Sequence, residues 1–69
     1  MDRVNIVSSH LESIGYRNGV LEVEFKNGRV YRYHDVPSRV VRGMFWAASV
    51  GEYFANNVRT QYQYEEITE

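Results

Sequence analysis

The stretch Tyr16-Arg17-Asn18-Gly19-Val20-Leu21-Glu22-Val23-Glu24-Phe25-Lys26-Asn27-Gly28-Arg29-Val30-Tyr31-Arg32-Tyr33 decides the fold. It sets two Asn-Gly pairs between alternating apolar and polar residues, the strongest short-range signature of a β-hairpin. Three strands are predicted, at about 11–17, 20–25 and 29–34, joined as an antiparallel meander. Register follows from chemistry, because a slip of one residue sends every side chain to the opposite face. A two-residue type I′ turn at Asn18-Gly19 opposes Tyr16 to Leu21 and Ile14 to Val23. At the second turn a two-residue loop would face Tyr31 and Tyr33 with Glu24 and Glu22. A three-residue loop Lys26-Asn27-Gly28, with Gly28 in the left-handed region, instead opposes Val23 to Tyr31, Leu21 to Tyr33 and Glu22 to Arg32. The second arrangement is expected: it gathers Ile14, Tyr16, Leu21, Val23, Tyr31 and Tyr33 on one face and leaves a cross-strand ion pair on the other.

Working outward, residues 4–8 can extend this sheet. After residue 34 the alternation stops, and Pro37 suits the first turn of a helix, where its missing N–H has no partner to lose. That helix is expected from about Pro37 to Ala48. Val40, Met44 and Ala47, with Val41, Phe45 and Ala48 beside them, give an apolar stripe that can close over the sheet. The opposite stripe carries Arg39, Arg42, Gly43 and Trp46 at three- and four-residue spacing. Ser49-Val50-Gly51-Glu52 fits a capping box and starts a second short helix, with Phe54 and Val58 as its buried pair and Arg59 in its last turn. Tyr62-Gln63-Tyr64 reads as a short strand or an extended strap, and residues 65–69 as a frayed acidic tail. The fold class is therefore α+β: a three-stranded antiparallel meander followed by two short helices, with a short C-terminal strand in prospect, all in one domain over residues 1–64.

Composition bounds the function. A chain of 69 residues, 43% hydrophobic and 25% charged, fills one small folded domain. With no cysteine, disulfides and cysteine-based zinc sites are excluded. A core this small gains from self-association, so a homo-oligomer is expected. The formal charge is −1, which is not the field of an autonomous nucleic-acid binder. It is unevenly spread: residues 1–59 carry eight cations and six acids, and the remainder carries Glu65, Glu66 and Glu69 alone. No apolar run approaches the roughly 18–20 residues that span a bilayer, and the N-terminus lacks a signal-peptide apolar region. A cytoplasmic protein with no membrane partner is the expectation.

Several groups could carry chemistry. Tyr31-Arg32-Tyr33 can serve as a stacking platform for single-stranded bases, or as core packing with ring buried and hydroxyl at the edge. Arg39, Arg42 and Trp46 suit a base or a partner subunit, unless the indole folds back over the sheet edge to complete the core. Ser49 and Gly51 lie at a helix start, where free amides bind phosphate, with Arg59 as a nearby cation, although Ser49 is also needed as the cap. His10, His34 and Asp35 match no metal-ligand spacing, and Ser8-Ser9-His10 places neighbours on opposite sides of an extended chain. No phosphate-loop pattern is present. No cofactor, metal or catalytic constellation is expected.

The residues also resemble a known family. Val7-Ser8-Ser9, Ile14-Gly15-Tyr16, Leu21 through Gly28, Val30-Tyr31-Arg32-Tyr33, Val36-Pro37 and Ala47 through Phe54 follow in the order of the KTSC domain. This family takes its name from a C-terminal appendage of some lysyl-tRNA synthetases and includes free-standing small bacterial and phage-type proteins, with a central Tyr-x-Tyr as hallmark. The resemblance implies no enzyme chemistry and suggests RNA binding. The chain departs from the family pattern at Ala55, Thr60, Gln61 and Gln63, where a polar group and positive charge are lost beside an acidic end. The expected function is a non-enzymatic module for RNA or a nucleotide-type ligand, using Tyr31, Arg32, Tyr33, Arg39, Arg42, Trp46, Ser49, Gly51 and Arg59. The other reading is a homo-oligomeric module that recognises a protein or sequesters a small signal.

Overall fold

The β-meander of the central sequence lies at the heart of a five-stranded antiparallel sheet in the computed structural model, which describes residues 2–67. Its elements run β1 (Val4–Asn5), β2 (Leu11–Arg17), β3 (Val20–Phe25), β4 (Val30–Tyr33), α1 (Ser38–Trp46), α2 (Val50–Asn57) and β5 (Tyr64–Ile67). The sheet order is β1-β2-β3-β4-β5. The two helices connect β4 to β5, so the chain leaves the sheet after its fourth strand and returns to pair with that same strand.

Register matches the chemical argument. Tyr16 opposes Leu21 and Ile14 opposes Val23, while Leu21 opposes Tyr33, Glu22 opposes Arg32 and Val23 opposes Tyr31. Asn18 and Gly19 both take positive φ, as a type I′ turn demands. Gly28 has φ +89°, and its N–H donates to the Phe25 carbonyl at 2.9 Å, closing the three-residue loop. A bulge between Leu11 and Ser13 shifts the β2–β3 ladder.

Between the sheet and the helices lies the core: Leu11, Ile14, Leu21, Val23, Tyr33, Val36, Val41, Met44, Phe54 and Val58. The Tyr16 hydroxyl donates to the Val36 carbonyl at 2.6 Å and the Val36 N–H to the Gly19 carbonyl at 2.8 Å, which tie the first hairpin to the loop entering α1. On the opposite face Glu22 is buried yet charged. It accepts from Arg32 at 2.8 Å and pairs with Arg3. Burial alone would raise its pKa, but the hydrogen bonds from Arg32 and Arg3 outweigh that and hold the carboxyl below its usual range.

The structure corrects several expectations. Pro37 is the N-cap of α1 rather than a residue of its first turn, and the helix stops at Trp46 because Ala47 is extended. Phe45 does not join the roof; it is more than half exposed. Gly43 does not belong to a solvated stripe: a Cβ there would overlap the Tyr53 hydroxyl, so glycine is what lets α1 and α2 approach. Ser49 caps α2 by accepting from the Glu52 N–H at 3.2 Å. Val58 and Arg59 fall just beyond α2 rather than in it. Residues 65–67 are not frayed but belong to β5, paired with β4; residues 68 and 69 of the expected tail lie outside the described residues.

Candidate functional site

Strand alternation puts Tyr31 and Tyr33 on the side of β4 that faces the helices, and β5 adds Tyr64 opposite Tyr33. The three rings cluster. Tyr31 and Tyr33 are stacked with centroids 6.5 Å apart, and Tyr64 lies 5.6 Å from Tyr31 and 5.4 Å from Tyr33. Phe25 meets Tyr31 edge-on at 5.4 Å and Phe54 at 5.7 Å, so the cluster is anchored in the core. Tyr33 is 3% exposed and Tyr64 57%. The aromatic array thus runs from a fixed interior to an open surface.

That surface is a groove of about 610 Å³. Tyr31, Tyr33, Tyr62 and Tyr64 supply its aromatic walls, with Arg29 and Arg59 as the cations that line it. Arg59 reaches it from the turn after α2, where its N–H donates to the Phe54 carbonyl at 2.9 Å. Arg29 stands 3.9 Å from Glu66, an exposed pair of little energetic weight that a competing anion can open. Burial, followed by the neighbouring Tyr64 and Tyr31 hydroxyls, pushes the Tyr33 phenol up to about 12, against a smaller opposing pull from Arg59. Tyr33 is therefore neutral at physiological pH and repels no bound anion.

A protein-family model, that of the KTSC domain, matches residues 7–66. The chain belongs to the KTSC domain family. It is 43% identical over 70 residues to an uncharacterized protein of Stutzerimonas stutzeri (strain A1501), with 97% of this chain and 99% of that protein covered. The crystal structure of a KTSC domain protein from Yersinia pestis superposes with a TM-score of 0.91 at 31% identity, covering 97% of both chains. The segment Tyr31-Arg32-Tyr33 acquires a physical meaning in this fold. Its second tyrosine is a core residue whose edge also lines the groove, its first is groove wall, and its arginine belongs to the opposite face of the sheet, paired with Glu22.

Of the residues singled out in the sequence, the groove of this KTSC domain brings together Tyr31, Tyr33 and Arg59. Arg32, Arg39, Arg42, Trp46, Ser49 and Gly51 do not line it. Trp46 projects from the end of α1 at 87% exposure, so it does not fold back to complete the core. Gly51 lies against Ser8, whose hydroxyl would be 3.4 Å from a Cβ at that position. His34 Nε2 sits 2.9 Å from Glu65 Oε1. The sequence reading missed Phe25, Arg29, Tyr62 and Tyr64 as groove residues. The Tyr62-Gln63-Tyr64 alternation was the signal for the last two. For Arg29 it was the step of two along the strand from Arg29 to Tyr31 and Tyr33.

Proposed function

We propose that this KTSC domain is a non-enzymatic binding module whose aromatic groove takes a nucleobase-bearing anion, either a nucleotide or a short single-stranded RNA segment. The observation that carries the reading is Tyr64: an open aromatic face next to Tyr31, in a groove also lined by Arg59 and Arg29. A base stacked on such a ring gains about 1–3 kcal/mol without sequence preference, and a guanidinium adds a phosphate contact. The core side of the array supplies preorganisation, since Tyr31 is held by Phe25 and Tyr33 before any ligand arrives.

Charge selects the size of the ligand. Glu66 partly neutralises Arg29, which leaves Arg59 as the principal cation of the groove. One or two phosphates suit that balance better than a long polyanion, whose further phosphates would run into Glu66, which stands opposite Tyr31 on the groove side of the sheet. The test is an NMR titration of the full chain with uridine monophosphate and with a short oligouridine, at low and moderate salt. Shifts confined to Tyr31, Tyr64, Arg59 and their neighbours support the reading. Saturable shifts centred elsewhere, or none with either probe, refute it.

A further inference from the structure

A second surface stands apart from the aromatic groove. At the other edge of the sheet, Val4, Ile14, Tyr16, Val41 and Phe45 line an apolar hollow of about 270 Å³, with Asp2 at its rim. Val4 is 56% exposed and Phe45 53%. Phe45 borders the hollow, and the next residue along α1 is Trp46, the one tryptophan of the chain, 87% exposed. Arg42 and Arg39 lie one and two turns before Trp46 on the same helical stripe. Among the described residues, neither arginine has a carboxylate partner and Asp2 has no cationic one.

We propose that this surface joins two copies of the chain in a two-fold dimer, with Trp46 of each seated in the hollow of the other beside Val4 and Phe45. Three features on the surface select a second copy as occupant. The knob and the hollow are contiguous through Phe45, as an isologous interface requires, since one patch must complement itself. The charges match: unpaired Arg39 and Arg42 flank the knob, and unpaired Asp2 edges the hollow, so each copy brings cations to the other's acid. The area also fits. Trp46, Phe45 and Val4 expose on the order of 400 Å² of apolar surface, close to the apolar share of the ~800 Å² that one partner contributes to a standard interface. The roofed core is small, and covering Phe45 and Val4 gives it the apolar burial that a chain of this length otherwise lacks.

Sedimentation of the full chain over a range of concentrations is the test, read together with Trp46 fluorescence. Twice the chain mass of 8.1 kDa is expected, with emission moving to shorter wavelength as the dimer forms and the indole leaves water. Trp46→Ala, which removes a side chain outside the core and should leave the helix and strand content unchanged, should weaken association by roughly 30-fold or more, the effect of a central aromatic anchor. Arg42→Glu should weaken it too, and adding Asp2→Arg should restore part of the loss. A chain that stays monomeric at every concentration overturns the proposal and leaves the patch to a different protein. A dimer indifferent to Trp46→Ala overturns it as well. Neither result bears on the groove, which lies on other residues.

Discussion

Tyr33 and Tyr64 face each other directly across β4 and β5, their rings 5.4 Å apart and inclined by 35°, yet one is buried and the other open to solvent. The pairing divides the aromatic array into a structural half and an available half. Truncating Tyr33 removes a ring that also meets Phe54 edge-on at 5.3 Å, and Tyr33→Ala should cost about 3–5 kcal/mol. Tyr64→Ala should cost under about 1 kcal/mol. Urea denaturation of the two variants checks the contrast.

Alkaline pH should expose the same division. Tyr33 has its phenol raised from 10.0 to about 12, so the folded state favours its neutral form. The stability this provides is fully present below pH 10 and is lost as the pH rises through about 12. Tyr33 should ionise late in a tyrosinate absorbance titration. Tyr33→Phe should remove that late step and flatten the alkaline fall in stability.

At acid pH the controlling group is Glu22. Its folded pKa is depressed by Arg32 and Arg3, so its contribution is complete above the ordinary value of 4.5 and disappears as the pH falls through the lowered folded value. Urea midpoints measured down through this range should drop for the parent chain and drop less for Glu22→Gln, which has no carboxylate left to protonate.

Gly43 sets the distance between the helices. Gly43→Ala drives a methyl into the Tyr53 hydroxyl and should destabilise the domain by about 1–3 kcal/mol, despite the better helix propensity of alanine. Combining it with Tyr53→Phe, which removes the overlapping oxygen, should recover part of the loss. Thermal unfolding of the single and double variants measures this.

The meander and its register were legible because two Asn-Gly turns fix the strand ends and only one pairing keeps Tyr31 and Tyr33 beside Leu21 and Val23. The fifth strand was legible only in part: the Tyr62-Gln63-Tyr64 alternation pointed to a short C-terminal strand or an extended strap, but neither its run to Ile67 nor its pairing with β4 could be read. Tyr64-Glu65-Glu66-Ile67 has no sustained alternation, and its partner lies about 30 residues earlier, beyond the reach of local pattern. What holds it is a backbone ladder plus charge: Glu65 meets His34 and faces Arg32, and Glu66 approaches Arg29. Glu65 and Glu66, which read as part of a frayed acidic tail, are strand residues set beside the cations in and around β4. Tyr62 and Tyr64 went unseen as groove residues for the same reason, since that wall of the groove forms only when β5 pairs with β4. Arg32 is the opposite case. A period of two already separates it from Tyr31 and Tyr33, and its charge is spent on Glu22. Gly43 escaped because helical spacing marks a face without saying which neighbour meets it.

The most direct test of the groove is the affinity of a short oligouridine for the parent chain and for Tyr64→Ala, measured by calorimetry at fixed salt. If Tyr64 is the open stacking surface, the variant should bind roughly tenfold or more weakly while remaining folded, and Arg59→Ala should weaken binding and reduce its salt dependence. Equal affinity for the parent and Tyr64→Ala contradicts the account.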